Sequence, residues 1–217
     1  MSDRSGRAVG RPLGPTAKGA GTRKRIIESA ATVFAQMGYD KARMTTLVDA
    51  TGLTKGAVYF HFDSKEALAL AVLETKHAEW LADVNARLAG LPEGRRRLEG
   101  LLPTMLAIHD DDRSVWAVSK LSRSLADLES DNPMRRHIAR LSQTWVEMVA
   151  DVIRRAQELR EVRGDIDPVG AAVALVGAFD GVKAIHDTLT EGGEEPFASG
   201  ASALGSMILT GLMTPDR

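Results

Sequence analysis

The chain has 217 residues, 44% hydrophobic and 26% charged, with 28 Lys and Arg against 29 Asp and Glu. That is enough chain to bury a real core, and with no cysteine it forms neither a disulfide framework nor a thiolate metal site. The charge is unevenly placed: residues 1–65 hold eleven Lys or Arg against five Asp or Glu, and the remaining 17 and 24 lie beyond, so a basic segment of +6 precedes an acidic body of −7. Such a division suits a first part that meets a polyanion.

Residues 1–21 are rich in Gly, Pro, Arg and Ala and read as a disordered basic arm, available for salt-sensitive phosphate contacts. They lack the apolar core of a signal peptide. From Thr22, the first expected cap, Ile26, Ile27, Ala30, Phe34 and Met37 recur at helical spacing until Gly38. Two short helices are predicted near 45–50 and 54–60, with Gly52 supplying the tight turn and Thr54 capping the second. Ser64 should cap a long helix running to Leu88, roughly 36 Å at 1.5 Å per residue. Beyond it, helices are expected at 93–109, 112–128, 133–160, 167–190 and 196–213. Breaks are expected at Asp110-Asp111, Asp131 to Pro133, Gly164 to Pro168 and Gly192 to Pro196. No segment alternates with period two. The fold class is all-α, with about nine helices.

The second short helix concentrates groups that meet phosphate and base edges: Thr54, Lys55, Tyr59 and His61, with Gly56 leaving room for close approach. Lys55 is the best candidate for a base contact, since an ammonium reaches guanine O6 and N7. Thr45 and Thr46 are candidate phosphate donors. Phe34, Leu47, Val48, Leu53, Val58, Phe60 and Phe62 are expected to form the core of this small unit. A packing role for His61, and a half-buried one for Tyr59, stand beside the DNA reading.

The run from Gly38-Tyr39 through Thr51-Gly52-Leu53-Thr54-Lys55-Gly56-Ala57-Val58-Tyr59-Phe60-His61-Phe62 to Ser64-Lys65-Glu66-Ala67-Leu68 resembles the signature of TetR-type repressors across about residues 22–70. The resemblance implies a three-helix helix-turn-helix DNA-binding domain over 22–66. A long helix joins it to a ligand-binding and dimerisation domain over 67–217. Thr54, Lys55, Gly56, Tyr59 and His61 would lie against double-stranded operator DNA, and Lys65 would reach a phosphate. Arg43 stands where the family often has Thr or Ser; it cannot cap, but its guanidinium can reach a phosphate. The last two helices, rich in Gly and Ala, would pair with their copies in a homodimer.

Trp116, Trp145, Met105, Met148 and Phe179, with polar neighbours His109, Gln143 and Thr144, are candidates to line an effector site. For each aromatic, filling core is the competing role. Lys55 to Phe62, Trp145, Ala156 and the Gly164 to Pro168 turn are similar to the γ-butyrolactone and furan autoregulator receptors of actinobacteria. That resemblance puts Trp145 first among ligand contacts. The segment from Asp131 to Ser142 departs from that subgroup and leaves the effector open: a signalling molecule, a hydrophobic drug or metabolite, or none. An enzyme is not expected: no nucleophile elbow, phosphate loop or His-Glu-x-x-His motif is present. His109 to Asp112 reads as a solvated turn rather than a metal site, and no cofactor is implied. The apolar run from Pro168 to Phe179 is too short to cross a bilayer, so no membrane partner is expected and the cytoplasm is the expected compartment.

Overall fold

The computed structural model describes residues 17–111, 121–122, 124–125, 132–190 and 195–213. Among them there are eight helices: α1 (Ala17–Lys41), α2 (Met44–Thr51), α3 (Lys55–His61), α4 (Lys65–Ala89), α5 (Arg95–Asp111), α6 (Pro133–Glu158), α7 (Pro168–Thr190) and α8 (Glu195–Leu212). The fold is all-α, and the predicted helix over 112–128 lies mostly outside the described residues.

Local chemistry explains the boundaries. Gly38 breaks α1 at φ 75°, ψ 165°. Gly52 closes α2 at φ 62°, ψ 20°, a left-handed conformation that glycine adopts without a Cβ clash. Thr54 and Ser64 accept from the backbone N–H of Ala57 and Ala67, capping α3 and α4 as expected. Asn132 accepts from Met134 N at 2.9 Å, and Pro133 occupies the first turn of α6.

Two expected boundaries move. Thr22 does not cap α1, which already begins at Ala17; its hydroxyl donates to the Lys18 carbonyl at 3.0 Å, the back-bonding a mid-helix threonine adopts. Residues 17–21 of the expected arm are thus helical. Likewise α5 continues through Asp110 and Asp111 instead of breaking there.

Two clusters of apolar side chains form the interior. The first joins Ile26, Phe34, Leu47, Val58, Phe62, Leu68 and Leu73 with Leu121, Leu125, Met134 and Ile138. The second gathers Val84, Leu88, Met105, Trp145, Val149, Ile153 and Phe179. Both α4 and α6 therefore run through both cores, α4 from Leu68 to Leu88 and α6 from Met134 to Ala156. Where the two cores meet, polar side-chain contacts tie α4 to its neighbours. Lys76 Nζ lies 2.8 Å from Glu28 on α1, and Glu74 Oε1 lies 2.6 Å from His137 Nε2 on α6. Burying each large aliphatic side chain contributes about 1.5–3 kcal/mol, so α1–α3 are anchored chiefly by apolar packing.

The apolar run at Pro168 does not end at Phe179. Pro168–His186 is long and apolar enough to cross a membrane by length and composition, yet only 28% of it is buried inside the chain. The uncovered side is ordered. Val169, Val173, Gly177, Gly181, Ile185 and Leu189 recur every fourth residue of α7, and all are exposed. On α8, Ser199, Ala203, Met207 and Gly211 repeat the pattern.

Candidate nucleic-acid interface and effector region

The α2–turn–α3 unit is held from below. Thr51, 2% exposed, donates to the Val48 carbonyl at 2.7 Å and accepts from Leu53 N at 3.0 Å. Arg25 on α1 donates to the Thr51 carbonyl at 2.8 Å, placing a cation at the C-terminus of α2. Val58 and Phe62, one turn apart, plug α3 into the first core. The opposite face of α3 is therefore turned to solvent.

That face carries most of the expected DNA-contacting set. Thr54, Lys55, Gly56 and Tyr59 are exposed and His61 is half-buried. Lys55 Nζ sits 5.5 Å from the centre of the Tyr59 ring, so ammonium and phenol share one patch. A Cβ built on Gly56 meets nothing within 4 Å. Packing inside the protein therefore gives no reason for glycine here, although glycine within a helix costs about 1 kcal/mol relative to alanine. Arg43 precedes α2 with extended backbone and makes no side-chain cap, as its chemistry requires; it and Thr45 are exposed, while Thr46 is half-buried. Lys65 is half-buried: its Nζ donates to the Tyr39 carbonyl at 3.1 Å and lies 4.1 Å from that ring's centre. One of its three N–H groups is thus committed inside the fold. The Tyr39 hydroxyl donates to Glu66 at 3.1 Å; burial first, then Glu66, pushes its pKa well up, keeping it a donor.

Phe60 is a correction. It was expected in the core but is 81% exposed, and its ring stands edge-on to His61 at 5.2 Å. With Val58 and Phe62 inward, the residue midway between them lies about 200° around the helix from each and must point out. A second residue was missed: the Arg23 guanidinium lies 5.0 Å from the centre of the Phe62 ring, adding a cation beside the end of α3. Helical phase signalled the first; only tertiary packing signalled the second.

The expected effector residues divide. Trp145, Met105 and Phe179 are buried in the second core, and Met148 packs against it half-buried. Gln143 and Thr144 are not brought to them. Both are exposed on the outer side of α6, Gln143 donating to Glu147 at 3.0 Å and Thr144 to the Arg140 carbonyl at 3.1 Å. At 100° per residue, one and two steps before an inward Trp145 point elsewhere. Trp116 and the His109 side chain lie outside the described residues. Trp80 of α4, unforeseen, packs edge-to-face on Trp145 with ring centres 4.4 Å apart.

Residues 26–72 match the family described as bacterial regulatory proteins, tetR family. The chain is 33% identical over 147 residues, 68% of its length and 72% of the relative's, to the HTH-type transcriptional repressor Rv1474c of Mycobacterium tuberculosis. The chain belongs to the TetR family. It is 28% identical over 171 residues, 79% of its length, to the A-factor receptor protein of Streptomyces griseus, spanning only 57% of that receptor. A solved structure concerned with the control of antibiotic production by bacterial hormones superposes with a TM-score of 0.74 and 30% identity, over 92% of this chain and all of that one. Its TetR-family relatives are DNA-binding transcriptional regulators rather than enzymes.

Proposed function

We propose that this TetR-family regulator is a homodimeric, cytoplasmic repressor that binds palindromic operator DNA and releases it when a small molecule enters the domain over residues 67–217. The observation that carries the reading is the outward face of α3, where Lys55, Gly56, Tyr59 and Phe60 stand exposed on a rigidly buried base. Lys55 reads a base edge, Thr54, Tyr59, His61, Arg43, Thr45 and Thr46 meet phosphate or sugar, and Phe60 offers a ring to a thymine methyl. Lys65 reaches a phosphate with its remaining N–H groups. Gly56 then has its reason outside the protein, in backbone approaching the duplex. Gly56→Ala should raise the melting temperature of the free protein by about 2–4 °C while weakening operator binding several-fold. A thermal melt and a mobility shift on the same preparation check both signs.

The exposed ridges of α7 and α8 support the dimer. Gly177, Gly181 and Gly211 would meet nothing within 4 Å if given a Cβ, so they leave room for a second helix rather than for one in the same chain. A dimer sets two α3 helices about 34 Å apart, one turn of DNA.

The resemblance to a hormone-receptor relative supports a γ-butyrolactone or furan-type effector acting beside Trp145. To switch most of the population, the effector must prefer the releasing conformer by about 5 kcal/mol. Thermal-shift screening against γ-butyrolactones, furans and hydrophobic cations tests this, because a ligand that binds only folded protein raises its melting temperature. A lactone or furan that both stabilises the protein and dissociates the operator complex is the expected result. A response to cations alone would reassign the effector class, and no stabilisation by any of the three would leave a regulator that senses nothing.

A further inference from the structure

Between the two cores, where α4 crosses α6, two polar atoms are shut off from solvent without a hydrogen-bond partner: His77 Nε2 and Trp80 Nε1. They lie one helical turn apart on α4, with ring centres 6.1 Å apart, and Trp80 in turn leans on Trp145. Buried polar atoms in folded proteins are nearly always matched, so a pair left open at one place marks a missing partner. Their chemistry is complementary. The indole N–H can only donate. In the tautomer protonated at Nδ1, the Nε2 of His77 presents a bare lone pair. Burial also pushes the His77 pKa down from its ordinary 6.5, which favours the neutral ring, whose unprotonated nitrogen accepts. Trp80 packs against the apolar side chains of the second core. One donor and one acceptor set in an apolar wall is how a small-molecule site fixes orientation.

We propose that Trp80 and His77 form the polar end of the effector site and select a neutral effector bearing a hydroxyl group, which accepts from Trp80 Nε1–H and donates to His77 Nε2 while its apolar body rests against Trp145. This rests on the reading of the large domain as a ligand-binding unit. It also gives that unit a direct lever, because the pair stands on α4 just after Glu74 and Lys76, which bridge to α6 and α1.

The test uses full-length protein carrying 15N in Trp and His, titrated with cyclohexanol, cyclohexanone and methylcyclohexane. Cyclohexanol should move the Trp80 indole and His77 Nε2 signals saturably and bind at least fivefold more tightly than the other two. Cyclohexanone, an acceptor only, should move the Trp80 signal alone. Trp80→Phe, which keeps the ring packing, should bring cyclohexanol and methylcyclohexane within twofold of each other. Equal affinity for all three probes overturns the proposal, as does no saturable response to cyclohexanol. A buried water only, seen as water cross-peaks to Trp80 with no probe response, overturns it too. A lactone or furan that stabilises the protein without moving either signal also overturns this assignment, yet leaves the ligand-binding reading intact.

Discussion

Lys55→Ala combined with Tyr59→Ala is expected to weaken operator binding by at least about 100-fold while the protein stays folded and dimeric. The size follows from what the two side chains are asked to do. A base-edge contact contributes about 1–3 kcal/mol and a phosphate contact less; a dimer loses both at two half-sites, and about 3 kcal/mol corresponds to two decades in affinity. The cost to the fold is small because both residues are exposed, Tyr59 at 40%, and what is lost within the protein is one exposed cation–π contact worth about 0.5–1 kcal/mol. Val58 and Phe62 still seat α3, and Thr54 still caps it. A mobility shift on a duplex selected from a randomised pool by the unaltered protein measures the loss, and circular dichroism with sedimentation checks the fold. Native affinity in the double variant would refute the assignment of this face.

The second large effect is expected at the other end of the molecule. Val173→Glu with Leu189→Glu places two carboxylates on the uncovered ridge of α7, where the native side chains are 54% and 72% exposed in the single chain. If two copies bury this ridge against each other, each charge is buried in an apolar contact and pays desolvation without a counter-charge. Sedimentation should then report about 23.3 kDa instead of twice that mass. Operator affinity should fall more than 100-fold, because a monomer occupies one half-site. The same exposure that makes the ridge a dimer face makes the double variant mild within one chain. A variant that still sediments as a dimer would place the interface elsewhere.

The helix-turn-helix was legible in the sequence because its information is local. A left-handed glycine at Gly52 and hydroxyl caps at Thr54 and Ser64 each fix a backbone conformation within four residues. The same local logic misled at Thr22, whose hydroxyl turns back on its own helix instead of capping it. The aromatic character of Phe60 points to a core position but its helical phase turns it outward, and the nearness of Gln143 and Thr144 to Trp145 in sequence counts for little at 100° per residue. What no local pattern held was tertiary. That Leu121, Leu125, Met134 and Ile138 complete the first core, and that the His77 and Trp80 nitrogens are buried and unmatched, follows only from tertiary packing. The shared helices α4 and α6 join the two cores.

Because the chain has no cysteine, a single introduced thiol can be labelled cleanly. Phe60→Cys and, as a distant control, Arg96→Cys on α5, each carrying an azidophenacyl group, can be irradiated on the selected duplex. Crosslinking from position 60 to bases within each half-site, and none from position 96, is the predicted outcome. Crosslinks from position 96 with position 60 silent would show that DNA lies against a different surface and contradict the account at its root.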